Sequence, residues 1–458
     1  MNSSFQPEVI DAIVLEEMEK LKIPGVAVTL VKGDHAIYTK GFGRANDKGE
    51  KVTEHTAFYI GSSSKSFTAL AIMQLSERGL IDIDDPVVTY LPWFKLTDEA
   101  ASNKITVRML LNHTSGFSTY EGMKIFNRDA GESLEALTRN MHYFKLSREV
   151  GASYEYSNLN YVIAGEIIQA VSGLSYDAYL EENIFLPLNM RHSFASNEKA
   201  LNYGIASGHQ PVFGRVKTTE HEFHPAIIPA GYIASCAEDM SHYLIANLNG
   251  GQYQNESVLS EAGIRQLHTA SSPTSEHYGL GWFDYGDLVH HGGSCENYHA
   301  TMMLIPAEGW GIFVHYNIND NISGGFVKGS FGDGETVQYD RIQSRIVNYL
   351  TGKERVSPII KPAGRFSATM NAELFALFVL IAGLGAVYCA SAHLLLPLLL
   401  SVNVLLPIVL MVLLPKAFKA TWKAIFRFGA GYGQAFLAIP LLLFAIGILK
   451  TVIYLFIL

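Results

Sequence analysis

The run Gly61-Ser62-Ser63-Ser64-Lys65-Ser66-Phe67 opens a helical pattern and sets a hydroxyl and an amine three residues apart. Positions i and i+3 share one helix face, so Ser62 and Lys65 are expected side by side. A serine hydroxyl is a poor nucleophile at neutral pH and needs a base within hydrogen-bond reach. A lysine desolvated enough to lose its proton can serve. The first helical turn adds unpaired N–H groups that favour developing negative charge. The same spacing also fits a capped, solvated helix start, so its meaning depends on the rest of the chain.

Two further motifs lie downstream. Tyr156-Ser157-Asn158 follows a Gly/Ser/Tyr-rich stretch, and His291-Gly292-Gly293-Ser294 sits between two expected strands, Asp287–His290 and His299–Ile305. Taken singly, the first is a turn tyrosine with an Asx cap and the second a hairpin connection. In the order S-x-x-K, Y-x-N, H-x-G, the three resemble the serine beta-lactamase and penicillin-binding-protein-like hydrolases, particularly the class C, D-aminopeptidase and esterase branch. Also similar to that family are Ile23–Val28, Phe58–Ala69, Leu110–Gly116, Pro187–Met190, Pro229–Gly231 and Tyr278–Trp282, so the resemblance runs from about Pro7 to Leu350.

The resemblance implies roles. Ser62 would attack the substrate carbonyl and form an acyl-enzyme, with Lys65 and Tyr156 sharing the general-base and proton-relay work. Burial should lower the Lys65 pKa, and a neighbouring cation should favour the Tyr156 phenolate, which leaves both open as the base. Asn158 would orient Lys65 or the substrate amide, and the N–H groups of Ser62 and Ser294 would form the oxyanion hole beside Gly292 and Gly293. His291 stands where many relatives carry a lysine. A histidine is mostly neutral at physiological pH, which suits peptides, amides or esters better than the carboxylate of a beta-lactam.

Leading strands Val26–Val31 and Ala36–Gly41, joined by a four-residue connection, a mainly helical stretch from Ile81 to about Ile205, and returning strands around 279–285, 287–290, 299–306 and 311–317 predict an α+β fold. Its antiparallel sheet is built from both chain ends, with an inserted helical lobe, as in the beta-lactamase/transpeptidase-like fold. Helices are expected at Pro7–Leu21, after Ser62 with Gly79 as its stop, at Ala237–Leu248 and at Val337–Leu350. The hydrolase domain is expected over 1–351, with a linker over 352–373.

From Leu374 to Pro415 there is no Asp, Glu, Lys or Arg. A helix of that length rises about 60 Å, roughly two hydrocarbon thicknesses. About three transmembrane spans are therefore expected, near 374–391, 394–414 and 430–449. A multi-pass membrane location and the lipid bilayer as a partner follow from them. All 43 acidic residues precede the tail, which carries five of the 34 basic ones, so the rest of the chain is at −14 and nucleic acid is not an expected partner. The basic run Lys416–Arg427 reads as a membrane-flanking loop. By the positive-inside tendency it and the hydrolase domain would be cytoplasmic, in keeping with the absence of a signal pattern in Met1–Lys20. Membrane-attached relatives mostly work outside the cytoplasm, which points the other way.

Cys236, Cys295 and Cys389 form neither a C-x-x-C pair nor an even framework, so no disulfide scaffold and no zinc site are expected. Cys295 reads as a small residue packed at a strand start rather than a nucleophile. His221-Glu222-Phe223-His224 falls one residue short of H-E-x-x-H and precedes Pro225, which favours a cleft-lining loop over a metal site. Neither a G-x-S-x-G elbow nor a P-loop occurs. The expected activity is a membrane-anchored serine hydrolase acting on an amide or ester of a peptide-like substrate, without metal or organic cofactor. Three C-terminal spans would resemble the prodrug-maturation peptidases that remove an acyl-D-amino-acid cap from non-ribosomal peptides. A non-catalytic binding or sensing module on the same fold is the rival from another class. A transporter is disfavoured, since no carboxylate lies in the expected spans.

Overall fold

The apolar runs at the two ends of the hydrolase region meet in one sheet. The computed structural model describes residues 5–212, 215–220, 222–271, 273–275, 277–319, 340–352, 405–417, 421–427 and scattered positions between 437 and 452. Strands β1 (Gly25–Lys32), β2 (His35–Gly43), β3 (Phe283–Asp284), β4 (Val289–Ser294), β5 (His299–Ile305) and β6 (Trp310–Tyr316) form a six-stranded sheet. Its order is β2-β1-β6-β5-β4-β3 and every pairing is antiparallel. The β1 sequence Gly-Val-Ala-Val-Thr-Leu-Val-Lys is buried at every position but the last, as befits a central strand covered on both faces.

Helices α1 (Pro7–Leu21) and α5 (Asp340–Thr351) cover one face, and between them lie α2 (Ser64–Glu77), α3 (Asn158–Ser172) and α4 (Ala237–Leu248) in chain order. Ile10 and Val14 of α1 and Ile342 and Ile346 of α5 pack on Val26, Val28, Leu30, Ile312 and Val314. The fully buried Glu17 carboxylate ties α1 to α5 through Arg341 and Arg345. On the other face Ala27, Val31 and Phe313 join a larger core with Phe67 of α2 and Tyr243 and Leu244 of α4, continuous with the helical lobe around α3.

The expected α+β class therefore describes this region, with three local differences. The β1–β2 connection is two residues long, because Lys32 pairs with His35 and Gly33 takes φ +62°. The strand expected at 279–285 shrinks to Phe283–Asp284. Gly281 turns at φ +80° against α2, where a Cβ would meet the Ala69 Cβ at 2.9 Å. The His291–Ser294 motif is the end of β4 itself rather than a connection, with Gly292 facing Thr301 and Gly293 facing Ala300.

The membrane region requires correction. Among the described residues no helix is long and apolar enough to cross a membrane. The expected span 374–391 lies outside the described residues, and those at 394–414 and 430–449 lie partly outside them. What is described of the second is α6 (Leu406–Ala417), with 12 residues and Pro415 inside it. It rises about 18 Å, short of a hydrocarbon core of about 30 Å. The transmembrane part of the fold and the multi-pass location rested on those spans and fall with them; the bilayer partner gains no support. Apart from Gly352, the expected linker 352–373 is outside the described residues. The basic run also differs from expectation: residues 422–427 are helical and pack on the hydrolase region, with Ala424 and Ile425 in its main core.

Candidate active site

Ser62 lies in a short 3-10 turn, Gly61–Ser63, that leads directly into α2. Gly61 holds φ +53°, and a Cβ on it would lie 2.4 Å from the Ser294 nitrogen. Across the gap, a Cβ on Gly293 would lie 1.9 Å from the Ile60 carbonyl oxygen. The two glycines thus let the end of β4 lie against the serine turn, bringing the backbone of Ser294 beside that of Ser62. Only glycine permits this approach.

At the second residue of α2, the Lys65 side chain is fully buried while Ser62 is partly exposed. Lys65 Nζ meets Ser62 Oγ at 3.0 Å, Asn158 Oδ1 at 2.8 Å and the Ala230 carbonyl oxygen at 2.5 Å. Burial holds the Lys65 pKa well below its ordinary value of 10.5. A neutral amine has two N–H donors and one lone pair. The carbonyl oxygens of Asn158 and Ala230 only accept, so they take the two donors and leave the lone pair for the Ser62 O–H.

Tyr156 precedes the first residue of α3 and stands close by, with Lys65 Nζ 4.8 Å from its ring centroid. Burial raises its pKa, and Ser62 offsets this only in part. Among the described residues no group reaches full hydrogen-bond geometry with the hydroxyl, Ser62 included. The phenolate expected from a neighbouring cation is therefore not favoured, because burial also pushes the lysine that would supply the charge towards its neutral form.

His113, at φ +61°, fixes this corner from behind. Its Nδ1 accepts from the Ser157 N–H at 3.2 Å and meets Asn160 Nδ2 at 3.0 Å, and its ring lies 4.3 Å from that of Tyr156. His291 is fully buried. Its Nδ1 is 2.6 Å from the Gly292 carbonyl oxygen, an acceptor, so the proton sits on Nδ1 and Nε2 accepts from the Tyr278 hydroxyl at 2.8 Å. Burial lowers the pKa of both histidines well below 6.5. With both nitrogens occupied, His291 supports the strand and offers no atom to a substrate. Cys295 is buried, and burial pushes its thiol pKa well up, the wrong direction for a nucleophile.

The arrangement brings together Ser62, Lys65, Tyr156, Asn158 and the Gly292–Ser294 backbone. Ala230, whose carbonyl holds Lys65, carried no assigned role in the sequence. A backbone acceptor leaves no side-chain signal; only its stretch Pro229-Ala230-Gly231 stood out. Tyr278 was visible in the same indirect way.

The sequence pattern described as Beta-lactamase matches residues 10–329. The chain belongs to the beta-lactamase family. Protein flp of Staphylococcus aureus (strain MW2) is 30% identical over 319 residues, covering 68% of this chain and 63% of that protein. The unguisins hydrolase ungD' of Aspergillus campestris is 27% identical over 334 residues, covering 67% and 60%. This member of the beta-lactamase family thus spans somewhat less than two thirds of the curated relatives it matches. Among solved structures, the octameric penicillin-binding protein homologue from Pyrococcus abyssi superposes with a TM-score of 0.63 at 28% identity, over 78% of this chain and 79% of that one. FmtA from Staphylococcus aureus superposes with a TM-score of 0.62 over 80% and 95%, and at 19% identity it shows the beta-lactamase fold alone.

Proposed function

We propose that this protein is a serine hydrolase that cleaves an amide or ester bond of a peptide-like substrate through an acyl-enzyme on Ser62. The observation that carries the reading is the buried Lys65 amine, 3.0 Å from Ser62 Oγ with its other two contacts on pure acceptors. Lys65 takes the Ser62 proton as Oγ bonds to the substrate carbonyl carbon. The oxyanion that forms is met by the N–H groups of Ser62 and Ser294, donors of a kind whose loss costs about a hundredfold or more. The tetrahedral intermediate collapses with loss of the amine or alcohol, which takes a proton from the Tyr156 hydroxyl. The Lys65 ammonium then reprotonates Tyr156. Water attacks the acyl-enzyme by the same path in reverse, its proton passing through the same pair, and Ser62 is restored.

Family membership and the relative named a hydrolase support this reading. A neutral His291 with both nitrogens engaged gives a substrate carboxylate no fixed cation, which favours peptides and esters over beta-lactams. The maturation-peptidase alternative loses the architectural ground of the three spans and keeps weak support from the relative named unguisins hydrolase. The binding-module alternative does not explain a lysine buried without a counter-anion among the described residues, an arrangement that disfavours its charge and has its use in proton transfer.

Intact mass after incubation with a fluorophosphonate and, separately, a penicillin tests the reading. A single fluorophosphonate adduct that disappears in Ser62→Ala is expected. Folded protein that takes up neither reagent would remove the hydrolase reading and leave the binding module.

A further inference from the structure

Residues 421–427 reach the hydrolase region from the C-terminal segment and end at the buried side chain of Arg427. Its Nε donates to Glu296 Oε1, and its Nη2 to the Glu222 carbonyl oxygen and, at 3.1 Å, to the Tyr232 hydroxyl. The guanidinium carbon lies 4.8 Å from the centroid of the Phe126 ring. Gln210 Nε2 donates both to the Arg427 carbonyl oxygen at 3.0 Å and to that of Glu296 at 2.8 Å. Thr421 Oγ1 meets Asn127 Oδ1 at 3.0 Å. Arg427 also walls a cavity of about 470 Å³ together with Tyr59, Phe223, Tyr232 and Tyr298.

These partners come from three parts of the molecule, and two adjoin the reacting groups. Tyr232 is two residues past Ala230, whose carbonyl holds Lys65. Glu296 is two residues past Ser294, at the mouth of β4. The Tyr232 hydroxyl also donates to Glu296 Oε1, so Arg427, Glu296 and Tyr232 form one closed triangle. Burial opposes the Arg427 charge, but Glu296 and Tyr232 outweigh it and raise its pKa. Phe126 and Asn127 belong to the helical lobe, so the segment bridges that lobe to the sheet edge. A buried charged pair holds its partners to one geometry, and removing one member leaves the other uncompensated.

We propose that Arg427 is a positioning residue for acyl transfer at Ser62, acting through Glu296 and Tyr232 to hold the Ser294 N–H and the Ala230 carbonyl in register. The C-terminal segment thereby becomes part of the catalytic unit. This rests on the hydrolase reading given above.

The test uses the full chain as wild type, Arg427→Lys, Arg427→Met and the double variant Arg427→Met with Glu296→Met. Each is followed by intact mass as a function of fluorophosphonate concentration, alongside thermal unfolding. In Arg427→Met the maximal labelling rate is expected to fall about tenfold or more, with half-saturation shifting less than about twofold, because misplaced groups cost rate rather than binding. Arg427→Lys recovers part of the rate by restoring a cation opposite Glu296. The double variant recovers thermal stability but not rate. A rate within about twofold of wild type in folded Arg427→Met, or a loss that follows only the folded fraction, overturns the proposal.

Should the Arg427 variants not fold, Asn127→Cys with Thr421→Cys is expected to form a disulfide on oxidation. Its failure to form in folded protein overturns the docking on which the proposal depends. Wild-type protein that does not label at Ser62 sinks the hydrolase reading and this proposal together. A labelled wild type with unaffected variants sinks this proposal alone.

Discussion

Two buried bases behave in opposite ways. Lys65 has no exposed surface and, among the described residues, no carboxylate partner; its hydrogen-bond contacts there are a serine hydroxyl, an asparagine oxygen and a backbone carbonyl. Arg427 is almost as deeply buried but faces the Glu296 carboxylate. Burial alone drives the lysine towards the neutral amine, whereas the opposed anion keeps the guanidinium charged. Depth of burial therefore does not decide charge; the partner does, and with it whether a base can move a proton or only hold a position.

The largest effect expected from breaking this contrast is at Lys65. Lys65→Met should lower fluorophosphonate labelling of Ser62 by about two to four orders of magnitude, the range for a lost general base, while thermal stability stays level or rises. A loss of stability as large as the loss of rate would make Lys65 a structural residue. On the other side, Arg427→Met leaves Glu296 buried without its cation and should cost about 3–5 kcal/mol in denaturant unfolding. Adding Glu296→Met should restore most of that. A single variant as stable as wild type would mean that the pair is not formed in solution.

Between these, Gly293→Ala tests the close approach that aims the Ser294 N–H. The added methyl falls 1.9 Å from the Ile60 oxygen. It should separate β4 from the serine turn and lower the labelling rate about a hundredfold, the cost of a lost oxyanion donor. Wild-type labelling in that variant would remove Ser294 from the site. The smallest effect belongs to an exposed pair, Arg265 and Glu261, four residues apart on one helix. Arg265→Ala should change unfolding free energy by less than about 0.5 kcal/mol, which sets the scale against which the Arg427 result is read.

How much of this was legible in the sequence depends on the kind of group. Side-chain spacing exposed Ser62, Lys65, Tyr156 and Asn158, because helix periodicity and motif order survive in one dimension. The sheet with its inserted helical lobe followed from where the β-rich runs begin and return. The reading of His291–Ser294 as a connection went astray because glycines signal turns in general, and here they serve a close backbone contact inside a strand. Arg427 was hidden for another reason. A basic residue in an apolar tail has the composition of a membrane flank, and nothing in the local sequence reveals a carboxylate waiting 131 residues upstream. The same composition suggested spans that the described helices do not supply.

The Lys65 shift also has a sign in stability. Its folded-state pKa lies below the unfolded value of 10.5. Between the two the unfolded chain binds the extra proton, so this lysine's contribution to stability grows as pH rises through that window and fades as pH falls through the folded pKa. Lys65→Met removes that slope.

The most direct test of the central claim, a neutral Lys65 poised as the base for Ser62, is the rate of fluorophosphonate labelling across pH in wild type, Lys65→Met and Tyr156→Phe. The wild-type rate is expected to rise with pH to a plateau, with its midpoint well below 10.5. Tyr156→Phe should keep that midpoint and Lys65→Met should lose the transition. A transition that survives in Lys65→Met and vanishes in Tyr156→Phe would contradict that claim and make the tyrosine the base.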